Sequence, residues 1–105
     1  MGHIAARRNT LLVRNSALEG LQYAKNLLTY LTKLDLKKTT PIKFDLLAKV
    51  LDNLNDLNTA KKNIDLIYGQ DSTSMSSVEK ADLTHLTGTI GDCIATLEGY
   101  ERHLK

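Results

Sequence analysis

Between residues 83 and 104, large apolar side chains recur without a break at Leu83, Leu86, Ile90, Cys93, Leu97, Tyr100 and Leu104. The steps alternate three and four residues. That keeps one stripe of an α-helix turned toward a neighbour, and it fits no strand, whose period is two. An earlier stretch repeats the pattern with Leu47, Val50, Leu54, Leu57, Lys61, Ile64 and Tyr68. Seams of this kind belong to helices packed nearly parallel, at roughly 20°. A chain with one proline, and with glycines concentrated in its last helical pattern, also lacks the turn signals of an all-β fold.

Start and stop signals divide the chain into three helices. Helix 1 is expected over about 4–36, with a capping box at Ser16-Ala17-Leu18-Glu19 that allows a break near residue 15. Thr40 followed by Pro41 reads as an N-cap and first helical residue, so helix 2 is expected over about 41–68, with Gly69 as its stop. Ser76-Ser77-Val78-Glu79 offers a second capping box, and helix 3 is expected over about 77–104. Met1-Gly2-His3 reads as a remnant of recombinant expression, which leaves 4–105 as a single domain.

Helix 1 has apolar positions over roughly two-thirds of its circumference, where a surface helix shows a stripe little wider than ~100°. It therefore needs at least two flanking helices. The expected fold is all-α: an elongated up-down-up three-helix bundle, with room for a short extra N-terminal helix. The pattern still runs at Lys105, as it would in a domain cut from a larger protein.

Charge is unevenly spread. Residues 1–43 hold eight Lys or Arg against two acids, and residues 44–105 hold six against ten. Internal complementarity between a basic first helix and acidic later ones explains this more simply than a nucleic-acid surface, which needs a denser basic patch with aromatics to stack on bases. A weak nucleic-acid or acidic-partner binder through the basic half remains the charge-based alternative. A lone cysteine requires no oxidising compartment, and apolar runs are too short for a membrane span, so cytoplasm or nucleus is expected.

The stretch 83–104 also gathers two histidines, the only cysteine and several acids, which invites a search for chemistry. Helical geometry disperses them. His85 and Asp92 share a face but stand about 10 Å apart at 1.5 Å rise per residue. Cys93 lies on the apolar seam, where it reads as a small core residue. Asp82 and His85 alone have metal-ligand spacing, with no second pair to complete a site. His85-Leu86-Thr87-Gly88 resembles, over about a dozen residues, the phosphorylated helix of a histidine-phosphotransfer bundle, a fold of similar size. It lacks the Lys that normally follows the histidine. No cofactor, metal site or catalytic constellation is expected.

What stands out is the face opposite the helix 3 seam: Ala81, Thr84, Gly88, Gly91, Ala95 and Gly99 form a ridge of small residues. Glycine inside a helix costs roughly 0.5–1 kcal/mol relative to Ala, and such a ridge lets another backbone approach closely. Near the start of helix 1, Leu11 and Leu12 beside Arg7 and Arg8 suggest an apolar patch rimmed with charge. The expected function is a non-enzymatic protein–protein interaction or scaffolding module, whose partner is a helix of another protein or a second copy. The specific alternative is signalling through a phosphorylated His85.

Overall fold

A computed structural model describes the backbone of residues 2–34, 43–71, 73 and 75–105, and the side chains of these residues except 2–9 and 71. Three helices fill almost all of it: α1 (Gly2–Lys33), α2 (Lys43–Asp71) and α3 (Ser77–Leu104). Among the described residues there is no strand. The helices pack as an elongated three-helix bundle of 56 × 19 × 17 Å. Its radius of gyration, 16.3 Å, exceeds the about 13 Å of a compact domain of this length. A rod of three helices has one thin core, so every helix keeps a long side in solvent.

The helix ends follow from their local chemistry. Ser76, in extended backbone at φ −71° and ψ 163°, accepts the Glu79 amide on its hydroxyl oxygen at 3.1 Å. The same hydroxyl donates to the Glu79 carboxylate at 3.3 Å. Met75, 8% exposed, is tucked into the core just ahead of this cap. At the other end the Lys105 amide closes on the Glu101 carbonyl at 3.1 Å, and its ammonium reaches the Glu101 carboxylate at 2.9 Å.

Two expected boundaries are not used. The capping box at Ser16 lies inside α1, which runs unbroken from Gly2. Continuous burial of Ala17, Leu21, Ala24, Leu27 and Leu31 gives the chain more by staying helical than one cap could by restarting it. Gly69 does not stop α2 either: it keeps negative φ, and the helix continues to Asp71. The Thr40–Pro41 start falls outside the described residues.

The core is a single aliphatic seam. In α3 it takes Leu83, Leu86, Ile90, Leu97 and Leu104, with Cys93 and Tyr100 partly buried against it. In α2 it differs from the simple repeat: Leu46, Asn53, Ala60 and Ile67 are buried, while Lys61 is exposed and Tyr68 is 38% exposed. As the middle helix, α2 packs extensively on both others, so its buried stripe widens toward α1. In α1 the buried line alternates Ala and Leu, and α1 sits close to α2. The Cβ position of Gly20 lies 3.4 Å from Leu57 Cδ2. There Asn53, 1% exposed, donates its side-chain amide to the Gly20 carbonyl at 3.2 Å. Its Oδ1 is buried without a partner, at a cost of ~1–3 kcal/mol. A polar contact in an apolar seam favours one alignment of two helices along each other.

Candidate interaction surfaces

The broad apolar arc of α1 is only half used. Beside the narrow buried line, Leu11 (57%), Leu12 (59%), Leu18 (39%), Tyr23 (47%) and Tyr30 (48%) remain exposed. Leu11 and Leu12 do not form one patch, because neighbouring residues on a helix point 100° apart. They fall on opposite flanks of α1, and each lines a different cleft.

Leu11 lies in the cleft between α1 and α3, about 510 Å³, with Thr10, Arg14, Val78, Glu79, Asp82 and Leu83. Arg14 Nε donates to Asp82 Oδ2 across it at 2.7 Å. That ion pair joins the basic N-terminal half of the chain to the acidic later part at one point, and it commits Asp82, the one acid spaced to join His85 in a metal site. Val78 lies at the mouth of this cleft, 76% exposed.

Leu12 lies on the other flank, in a groove between α1 and α2. One stretch, about 310 Å³, is lined by Leu12, Val13, Asn63, Leu66, Ile67 and Gln70. The next, about 450 Å³, is lined by Ser16, Glu19, Gly20, Tyr23, Asp56, Thr59, Ala60 and Asn63. Asn63 lines both, and the two lie one after the other along the α1/α2 seam. Leu66, 51% exposed, stands at its apolar end. Glu19 and Asp56 face the other end from opposite helices, and among the described residues neither has an ion-pair partner.

The small-residue ridge of α3 is in solvent. Ala81, Thr84, Gly88 and Ala95 are exposed and Gly91 and Gly99 partly so. A Cβ on Gly88 or Gly91 would meet nothing within 4 Å, and on Gly99 only the Arg102 side chain at 4.0 Å. No described glycine has positive φ. Nothing within the described part of the bundle therefore requires glycine at 88 or 91. The Thr84 hydroxyl is turned onto its own helix, donating to the Lys80 carbonyl at 2.9 Å. Arg7 and Arg8 fall on the α1 backbone, and their side chains lie outside the described residues.

The chemical candidates stay apart. His85 is exposed on α3, where its backbone carbonyl also accepts the Thr89 hydroxyl at 3.1 Å. Burial pushes the Cys93 thiol above its ordinary pKa, Asp92 adds to this, and Lys25 opposes it. A thiol so placed is less ionised than a free one, the reverse of an activated nucleophile. Among the described residues no three His, Cys, Asp or Glu side chains stand close enough to hold a metal. No helix among them is long and apolar enough to cross a membrane.

The α1/α2 groove is the surface that motif searching passes over. Its signal is present: Leu12, Ser16, Glu19, Tyr23, Asn26 and Tyr30 form a second series with alternating four- and three-residue steps, on the outside of α1. From Asn15 to Thr32 the only charged residues are Glu19 and Lys25. Comparison with known proteins adds no family: no family model, curated protein or solved structure matches this chain.

Proposed function

We propose that this domain is a non-enzymatic protein–protein interaction or scaffolding module, working in the cytoplasm or nucleus, whose partner contacts are made by the outer side of α1. The observation that carries the reading is the exposed Leu12, Tyr23 and Tyr30 on a helix side poor in charge. Interface cores are depleted of charged residues and enriched in tyrosine relative to the rest of a surface. Ordinary solvated helix sides show the opposite, as α2 does with nine Lys and Asp between Lys43 and Asp71. Tyrosine also gives contact area at little cost in conformational entropy.

The test is site-specific photo-crosslinking in the cells that make the protein. A benzophenone side chain placed at Leu12, Tyr23 or Tyr30 is expected to give discrete protein adducts, and one at exposed Lys62 is not. Absence of adducts from all three α1 positions overturns the proposal.

A further inference from the structure

Thr10 breaks the pattern of the helix that carries it. Thr10, Ala17, Ala24 and Leu31 recur every seven residues on the side of α1 turned into the bundle, and all four are buried, Thr10 at 8% exposure. The other three are aliphatic. Among the described residues the buried polar side chains are Thr10 and Asn53, and Asn53 has a structural role in its hydrogen bond to the Gly20 carbonyl.

The local sequence supplies a role for the Thr10 hydroxyl. Arg7 and Arg8 stand three and two residues before it, and Leu11 directly follows it. No other Ser or Thr in the chain follows two arginines at these distances. A protein kinase that selects basic substrates reads such a stretch as extended chain. Acidic groups in its groove take the two guanidiniums in forked contacts, and a pocket takes the apolar residue after the acceptor hydroxyl. Recognition therefore depends on the order of residues along the chain. The segment becomes extended when the first turns of α1 open, and helix ends open at lower free energy than helix middles.

The surroundings of Thr10 give its modification a consequence. Thr10 lines the α1/α3 cleft together with Arg14, Glu79 and Asp82. Arg14 is the one cation among the described side chains lining that cleft, and it is already paired with Asp82 at 2.7 Å. A phosphate brings about two negative charges at neutral pH. Arg14 stands one helical turn from Thr10, so a phosphate there competes with Asp82 for it. The carboxylates of Glu79 and Asp82 then repel the new dianion, and the apolar Leu11, Val78 and Leu83 make its burial costly.

We propose that Thr10 is a phosphorylation site for a basophilic protein kinase, and that its modification frees the first turns of α1 from α3. In the transfer, Thr10 Oγ1 forms a bond to the γ-phosphorus of ATP as the bond from that phosphorus to the β,γ-bridging oxygen breaks. The hydroxyl proton passes to the catalytic aspartate of the kinase, and ADP leaves. Because α1 packs more extensively on α2 than on α3, the modified chain keeps its α1/α2 seam.

The experiment incubates the whole chain with magnesium ATP and the catalytic subunit of cyclic-AMP-dependent protein kinase, a kinase of this class. One phosphate is expected, assigned to Thr10 by fragment mass spectrometry, and Thr10→Val should carry none. Arg7→Ala with Arg8→Ala should slow the transfer by about tenfold or more. Any stability lost in that variant would open α1 and speed the transfer, so slowing reports recognition. In the phosphorylated chain, amide hydrogen exchange over 10–17 and trypsin cleavage after Arg14 should each be faster by about tenfold or more, with exchange over 90–97 unchanged. No phosphate on the chain, phosphate on another hydroxyl alone, or transfer indifferent to the two arginines each overturns the proposal. So does a phosphorylated chain that exchanges and is cleaved as slowly as the unmodified one.

Discussion

The two sides of α1 are built from the same helix and finished differently. Toward α3, Leu11 sits beside the Arg14–Asp82 ion pair, in a cleft that Glu79 also lines. Toward α2, α1 packs more extensively, with Gly20 against Leu57 and Asn53 fastened to the Gly20 carbonyl. The groove above it keeps two unmatched carboxylates and exposed Leu12, Tyr23 and Leu66. Stability and availability are thus stacked on one flank, the first underneath and the second on top. The lesson is that a well-packed seam lets its own rim stay unsatisfied, because the fold does not depend on the rim.

That division can be broken most severely from below. Leu57, fully buried where α2 packs on Gly20 of α1, should cost about 2–5 kcal/mol when changed to Ala, measured by urea unfolding. A loss under 1 kcal/mol would mean that the α1/α2 seam is not where α1 is held. Next comes α3, whose ridge faces open space. Gly88→Ala with Gly91→Ala should stabilise by about 1–2 kcal/mol together, because helical φ suits alanine and nothing stands in the way. A lowered melting temperature would show that something rests against the ridge after all. On the α1/α3 side, a double-mutant cycle on Arg14→Ala and Asp82→Ala should give a coupling of only ~0.2–1 kcal/mol, since both side chains are over a third exposed. A larger value would make that cleft, not the α1/α2 seam, the anchor of α1.

The smallest effect concerns Cys93. Its raised pKa means that the folded state favours the protonated thiol, so its contribution to stability is present below the pKa of the unfolded thiol and is lost as pH rises through the folded one. A disulfide exchange reagent at pH 8 should modify it more slowly than a free cysteine peptide, with the gap narrowing as alkali is added. Faster modification than the peptide would contradict its placement against the core.

The bundle itself was legible in the residue pattern because aliphatic seams leave few other solutions. The α3 series Leu83, Leu86, Ile90, Leu97 and Leu104 lies buried where a three-and-four step puts it. In α2 the pattern misplaced the stripe by part of a turn. Lys61 and Tyr68 fit the spacing, but the middle helix also had to face α1, which drew in Asn53, Ala60 and Ile67. The candidate surfaces were less legible. Periodicity tells which positions share a face, and it grouped Leu11 with Leu12 only because they are adjacent in the chain. It cannot tell which face of α1 another helix covers, or that Glu19 of α1 meets Asp56 of α2 across a groove. That arrangement depends on how two distant segments align, where aliphatic packing and the Asn53–Gly20 hydrogen bond act together.

Central to the proposed function is that partner contacts are made by the outer side of α1, at Leu12, Tyr23 and Tyr30, and not by the α1/α3 cleft. Photo-crosslinking yields from Tyr23 and from Leu11, compared in the same cells, test it most directly. Abundant adducts from Tyr23 and few from Leu11 are expected. Stronger adducts from Leu11 than from Tyr23 would contradict it.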